Sequence, residues 1–458
     1  MNTHLHHSNI IICRCLMLIA VLLMAGNAYA LTGAWRGELN LGQMKVPLVF
    51  NFSETESGGT QCTMDSPSQG AKGIATEVVL CSADSISLTC NVIGASYSGR
   101  ISGGVITGRF KQRGYEFPLD LTPDAPLAER RPQTPKAPFP YTVIDTTFKA
   151  PDGAVMSATL TLPPTADGRK IPAVVMVTGS GPQNRDEEYC DHRPFAVIAD
   201  FLARNGIASL RYDDRGTGKS TGNFLISTTH TFKDDAVSGV DFLRSIPGIG
   251  CVGVLGHSEG GTIAFMVGAE DKTDFIVSLA GMAVSAKETL MRQNSHGLDK
   301  MALSDADKAN SLKMIELVFD MIISQARRGV SEPIDIDALA AANDLELPLQ
   351  VLQSLKMTQS TRAPWFDAFL MLNPREYIEK VKCPVLAVNG EKDRQVYPDN
   401  LTVISELAPQ AKTILMPDLN HLMQHAVTGE MTEYDEIRET ISPEVLDATA
   451  AFINSTCK

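Results

Sequence analysis

Two periods of apolar residues divide the chain. Between residue 31 and about 122, apolar and polar positions alternate over short runs, the period of strands with one buried face. Val46-Pro47-Leu48-Val49-Phe50-Asn51-Phe52 and Ser85-Ile86-Ser87-Leu88-Thr89-Cys90 are such runs, and Ser98 to Phe110 reads as a hairpin turning at Gly103-Gly104, where a two-residue turn requires positive φ. Frequent glycines and short strands predict a small all-β barrel or sandwich. From Tyr141 the pattern changes. Two strands joined at Pro151-Asp152-Gly153 come first, then apolar runs alternate with helical segments. Ala173 to Val177 is apolar throughout, as a strand buried on both faces must be. Phe195 to Asn205 is helical with Gly206 as its stop; Ile207 to Tyr212 is a strand; Asp234 to Ser245 is an amphipathic helix. Further strands are expected at Cys251–Leu255, Phe275–Ala280, Pro384–Val388 and Thr413–Met416. Repeated βα units of this kind predict a doubly wound α/β sheet.

The alternation stops between about residues 282 and 376. That stretch reads as helical, with Lys308–Arg328, Asp335–Asn343 and Pro348–Met357 as helices. It falls between two core strands, where a lid would insert. Its methionines (Met291, Met301, Met314, Met321, Met357 and Met371) read mostly as lid-core packing, with an adaptable apolar lining as the alternative. Between the two patterned regions, residues 123–140 carry six prolines and read as a semi-rigid linker. The expected organisation is an all-β domain at 31–122, this linker, and an α/β domain at 141–458. The all-β domain shows no titratable cluster and reads as a structural or docking module.

The N-terminus adds a targeting signal. Leu16 to Ala25 is an apolar run preceded by Arg14 and followed by Ala28-Tyr29-Ala30, a secretory signal with cleavage expected after Ala30. The run is short for a membrane span, so no stable membrane insertion is expected after cleavage. Loss of Arg14 would move the net charge from −13 to −14. An acidic chain without a basic patch argues against nucleic acid as a partner. Of nine cysteines, seven follow the signal. In an oxidising compartment Cys62, Cys81 and Cys90 could supply one disulfide, of unreadable connectivity; Cys251 and Cys383, in buried-strand patterns, read as inert core thiols. There is no Cys-x-x-Cys pair and no His-Glu-x-x-His, so no zinc site is expected.

The candidate chemistry centres on Gly256-His257-Ser258-Glu259-Gly260-Gly261. A strand-like run precedes it and a helix-like run follows, and that context gives Gly-x-Ser-x-Gly its meaning. A sharp strand-to-helix turn exposes the serine hydroxyl, and its glycines let strand and helix pass closely. Ser258 is therefore the candidate nucleophile, with the Glu259 N–H as one oxyanion donor. His257 is expected to point away along the turn, in a structural role. The base and its orienting acid are sought downstream. Only His296, His421 and His425 follow Ser258. His421, just after the last strand, is the expected base, and His425 the runner-up. The acid should follow the strand ending at Val388, which makes Asp393 the candidate and Glu391 the fallback. A second oxyanion donor is expected from Thr178-Gly179-Ser180-Gly181-Pro182-Gln183-Asn184-Arg185-Asp186, at Ser180 or Gly181. That loop lacks the Lys-Ser/Thr ending of a phosphate-binding loop, and Asp213 to Ser220 has the wrong glycine spacing for one.

With these residues in hand, the chain resembles bacterial α/β-hydrolase carboxylesterases of the EstD type, which carry a β-domain ahead of the catalytic one. The resemblance rests on Gly179 to Asp186, Asp213-Asp214-Arg215-Gly216-Thr217-Gly218, Gly256 to Gly261, Gly390-Glu391-Lys392-Asp393 and Asn420-His421-Leu422, with Asp65 to Ala71 matching the β-domain. It implies hydrolysis of small short-acyl esters without a cofactor. The same triad could run a serine peptidase or amidase, and a vestigial hydrolase serving as a binding module is a third expectation.

Overall fold

A computed structural model describes residues 31–40, 45–56, 58–69, 71–125, 130–164, 170–360 and 362–458. The expected signal segment, and Gly70 of the Asp65–Ala71 segment, lie outside these residues. The chain divides into two compact units, up to residue 126 and from 127 onward.

The first unit is a closed antiparallel barrel of eight strands in chain order: β1 (Gly33–Asn40), β2 (Lys45–Glu54), β3 (Thr60–Ser66), β4 (Ala71–Cys81), β5 (Ser85–Cys90), β6 (Ala95–Ser102), β7 (Val105–Gln112) and β8 (Tyr115–Pro123). Sequence left barrel and sandwich open. Closure is made by β1 against β8, with Trp35 opposite Pro123 and Arg36 opposite Thr122, a pairing between the two ends of the domain. The β6–β7 turn falls at Gly103 and Gly104, both at positive φ. One face of each strand fills the interior: Trp35, Phe50, Met64, Leu88, Tyr97, Ile106 and Leu121 are all buried there. The expected disulfide is not formed. Cys62, Cys81 and Cys90 are not disulfide-bonded, and burial pushes the Cys62 thiol up to about 12.

The second unit holds an eight-stranded sheet: β9 (Thr142–Lys149), β10 (Val155–Leu162), β11 (Ile171–Val177), β12 (Ala208–Tyr212), β13 (Ile249–His257), β14 (Ile276–Leu279), β15 (Val385–Gly390) and β16 (Ala411–Met416). Their spatial order is β16-β15-β14-β13-β11-β12-β10-β9. β9–β10 and β10–β12 are antiparallel and the other pairs parallel. Chain order reverses between β11 and β13, and at such a reversal the loops leaving the carboxyl ends of the strands part and leave a crevice. Two apolar layers cover the sheet. α1 (Pro194–Arg204) and α11 (Pro443–Thr456) pack on one face; α2 (Thr229–Arg244), α3 (Glu259–Ala269) and α10 (Asn400–Leu407) pack on the other. α2 begins five residues before the expected Asp234. Its first turn is polar, and it is started by Thr228, whose side chain accepts from the Thr231 N–H in a capping box.

The insertion after β14 is helical: α4 (Ala286–Asp299), α5 (Asp305–Arg327), α6 (Ile336–Ala342), α7 (Leu349–Ser360), α8 (Pro364–Leu370) and α9 (Arg375–Ile378). It has its own apolar core around Met314, Val318, Phe319 and Ile322. Met314 is buried there, whereas Met321, Met357 and Met371 are exposed. Among the described residues no helix is long and apolar enough to cross a membrane.

Two readings of the sequence are corrected here. Cys251, near the start of β13, is not an inert thiol: it forms a disulfide with Cys457, 206 residues away at the end of α11. The partners meet because α11 packs back under the sheet. Nor is the proline-rich stretch spacer throughout. Arg131 is 1 % exposed and donates to the carbonyls of Cys190, Asp435 and Ile437, which fixes this part of the stretch on the α/β unit.

Candidate active site

β13 ends at His257 and α3 begins at Glu259, leaving Ser258 alone at the turn with φ 54° and ψ −119°. A side chain at Gly256 would put its Cβ 2.0 Å from the Gly260 oxygen, and one at Gly260 would lie 2.1 Å from the Val177 oxygen. Only glycine lets β13, α3 and β11 cross this closely. The turn is over-determined, as a strained serine requires: the Ser258 N–H donates to the Leu279 carbonyl at 2.9 Å, and its own carbonyl accepts from Gly261 at 3.0 Å. As the first residue of α3, Glu259 has an N–H without an intrahelical acceptor.

Asp393 follows β15 and is fully buried. Its Oδ1 accepts from the N–H groups of Gln395 (2.8 Å) and Val396 (2.9 Å), and its Oδ2 lies 2.8 Å from His421 Nδ1. The carboxylate is thus locked by its own loop and aimed at the ring. His421 follows β16 in a loop held by Asn420, whose side chain accepts from the Gln424 N–H and donates to the Gln424 side chain. Ser258 and His421 line one cavity of about 330 Å³. Its apolar wall comes from Met282, Leu290, Trp365, Phe369, Val396 and Met431. None of the six lid methionines named from sequence contributes to it; Met282 and Met431 do. The alternates stand elsewhere. Glu391 is exposed, His425 is an exposed side chain paired with Glu439, and His296 pairs with Glu430.

The loop after β11 is pinned by three carboxylates. Glu187 accepts from the Gly179 N–H at 2.6 Å. Asp214 accepts from the Gln183 N–H at 2.8 Å and the Thr178 hydroxyl at 2.9 Å; burial drives its pKa well above the usual carboxylate range against these two donors. Glu259 accepts from the hydroxyls of Ser180 (2.8 Å) and Thr229 (2.6 Å) and from Trp365 Nε1 (3.0 Å). Burial raises its pKa, and the three donors oppose the rise. Ser180 lines the cavity, whereas Gly181, at φ 97°, lines a separate small pocket behind the loop. The Asp213-Asp214-Arg215 segment is structural wiring: Asp213 binds the Arg185 guanidinium, and Arg215 bridges Asp235 and Asp152.

His257 departs from expectation. Its ring does not point away but lines the cavity, its centroid 4.8 Å from that of His421. Sequence reasoning also missed Glu187, Tyr189, Gln293, Trp365, Gln395 and Tyr434, all on the cavity wall. Glu187 lies one residue past the loop singled out from sequence. Trp365 sits on a lid helix and carries no local mark of its contact with Glu259.

The chain is similar to several known proteins. Esterase EstD of Thermotoga maritima is 25% identical over 270 residues, 57% of this chain and 55% of that protein, so the chain spans about half the length of that relative. Human monoglyceride lipase is 25% identical over 267 residues, 56% of this chain and 80% of the other. Among solved structures, an esterase of Pyrococcus furiosus, Pf2001, aligns with 69% of this chain and 94% of its own, at 15% identity and a TM-score of 0.42. A family described as X-Pro dipeptidyl-peptidase (S15 family) matches residues 152–423, more than half of the chain and all of the loops just described. The protein is an α/β hydrolase preceded by a β-barrel, and it belongs to that S15 family.

Proposed function

We propose that the protein is a secreted serine carboxylesterase acting on small short-acyl esters. One observation carries the reading: a serine held in a left-handed turn shares a cavity with a histidine whose Nδ1 is engaged, at 2.8 Å, by a buried aspartate. In this reading His421 Nε2 takes the Ser258 proton as Oγ attacks the ester carbonyl. The N–H groups of Glu259 and Ser180 receive the oxyanion; Gly181 is the weaker candidate because it faces the other pocket. Collapse breaks the bond to the alcohol, which leaves with the proton from His421. Water, deprotonated by His421, then attacks the acyl-enzyme, and the carboxylic acid departs with Ser258 restored. Asp393 fixes the tautomer and stabilises the imidazolium. The apolar walls and modest volume of the cavity favour a short acyl chain.

The family description favours a second reading, removal of an N-terminal X-Pro dipeptide. That substrate brings an ammonium group that needs a free carboxylate once it is desolvated. The two carboxylates on the cavity wall, Glu187 and Glu259, are both engaged by protein donors, so the ester reading is preferred. Hydrolysis of p-nitrophenyl esters from acetate to palmitate, beside an X-Pro p-nitroanilide, separates the two, with Ser258→Ala as control. Serine-dependent turnover falling with acyl length is expected; turnover of the anilide alone would replace the ester reading. Secretion is supported by the Cys251–Cys457 disulfide, since such bonds persist in oxidising compartments. Its check is the first residue of the exported protein, expected to be Leu31.

A further inference from the structure

Two buried histidines differ in what their rings face. His192 has the Thr440 hydroxyl 3.0 Å from Nδ1 and the Tyr434 carbonyl 2.9 Å from Nε2. A hydroxyl can donate, so a neutral ring with its proton on Nε2 satisfies both contacts. His257 has no such freedom. Its Nε2 lies 2.8 Å from the carbonyl oxygen of His421, which can only accept. Its Nδ1 lies 2.9 Å from Glu187 Oε1, an atom that already accepts the Gly179 N–H. Two acceptors face the two ring nitrogens, and an imidazolium beside a carboxylate satisfies all of them. Glu187 holds its place at φ 51°, a left-handed conformation disfavoured for a residue with a Cβ, in a turn closed by its N–H on the Asn184 carbonyl.

We propose that Glu187 and His257 are positioning residues, held as a carboxylate–imidazolium pair, that lock the loop carrying His421 against the loop carrying the oxyanion donors. The proposal rests on the reading of His421 as the base. The path is continuous: Gly179 N–H to Glu187, Glu187 to His257, His257 to the His421 carbonyl. One end of the path is next to Ser180, the other is the backbone of the base itself. A second histidine–carboxylate pair thus stands beside Asp393–His421. The first would serve proton transfer; the second fixes where that transfer occurs.

The charged and titratable groups around His257 are Glu187 from the loop after β11, Asp393 from the loop after β15, and His421 from the loop after β16. Burial alone would lower the His257 pKa, but the Glu187 charge and hydrogen bond, the His421 carbonyl and Asp393 together raise it. When the proton is finally lost at alkaline pH, a ring lone pair meets either the His421 carbonyl or the Glu187 carboxylate. The tether then fails, and activity falls with it.

The test combines nitrogen NMR of ¹⁵N-histidine-labelled protein with pH profiles on p-nitrophenyl acetate. At pH 8 the wild type should show one ring with both nitrogens protonated, a signal lost in His257→Gln; the wild-type spectrum needs no variant to fold. Glu187→Gln keeps shape and acceptor but removes the charge. It should lose that signal, lower kcat by about 10- to 100-fold, the scale of a small misplacement of a catalytic group, and leave KM within about twofold. Its alkaline limb should move to lower pH. His257→Gln, whose amide can still donate to the His421 carbonyl, should keep more kcat than His257→Leu. A neutral His257 ring at pH 8, or an unmoved alkaline limb in Glu187→Gln, overturns the proposal while leaving the base assignment standing. A fully active His421→Ala overturns the base assignment, and the tether's role with it, whatever the spectrum of His257.

Discussion

The interior of the barrel and the carboxyl-end rim of the large sheet are both buried, yet they are made of opposite materials. The barrel core is apolar, and its one deep phenol, Tyr97, donates to or lies against the carbonyls of Ile106 and Leu119. The rim buries Glu187, His257, Glu259, Asp393 and His421 within a few residues of one cavity. Backbone strain is divided the same way. Ser258, Glu187, Ala280, Asp418 and Met423 all take positive φ at the rim, whereas Arg113, in the β7–β8 turn, is the one non-glycine residue of the described barrel to do so. Buried charge and left-handed backbone both cost stability. A fold retains them where they are held on every side, and here that is around the cavity lined by Ser258 and His421.

That contrast is breakable. Changes at the rim should remove turnover with little change in stability, and changes elsewhere should do the reverse. Ser258→Ala should abolish ester hydrolysis and leave the thermal transition in place; substantial remaining turnover would unseat the nucleophile. Asp393→Asn keeps the shape but puts an amide donor where a carboxylate accepts from Nδ1–H, and kcat should fall by about 10³- to 10⁴-fold; a mild loss would mean that the aspartate is structural. Cys457→Ser opens the disulfide at the amino end of β13, away from Ser258. It should lower stability by about 2–4 kcal/mol with kcat unchanged, as read by urea unfolding beside an esterase assay.

A pH-dependent effect comes from His192, whose pKa is lowered to about 3, by burial first and then by the charge of Arg131. The group is depressed in the folded state, so its contribution is present above the unfolded value near 6.5 and is lost as pH falls toward 3. Stability should drop by about 1.4 kcal/mol per pH unit in that window. His192→Gln should flatten this slope, and equal slopes in the two proteins would contradict it. The smallest change is Tyr97→Phe in the barrel: about 1 kcal/mol of stability and no change in kcat. A change in kcat would show that the barrel shares in catalysis and would dissolve the comparison.

The two regions also differ in how far the sequence reveals them. Ser258 is legible because its setting is local: strand, tight turn and helix follow one another in the chain. Asp393 and His421 are legible one step further out, since each comes a few residues after a recognisable strand. Glu187 and Trp365 are not, because what marks them is a partner 70 and 106 residues away. His257 shows the same limit from the other side: its position beside Ser258 was plain, but the direction of its ring is set by Glu187 and by the His421 carbonyl. In the barrel, the strands of the β6–β7 hairpin were readable from alternation and two glycines. Closure was not, since it depends on β1 meeting β8. The cysteines failed for a related reason: Cys251 and Cys457 meet only because a helix at one end of the chain returns beneath a strand in its middle.

That disulfide has a topological consequence. Residues 251 to 457 form a single covalent ring, and Ser258, the whole helical insertion, Asp393 and His421 lie inside it. A protease that severs an exposed lid segment, such as the one between α5 and α6, opens the ring without releasing a fragment. The pieces bearing the serine and the histidine remain joined through sulfur. A cut in the insertion therefore leaves Ser258 and His421 on one molecule.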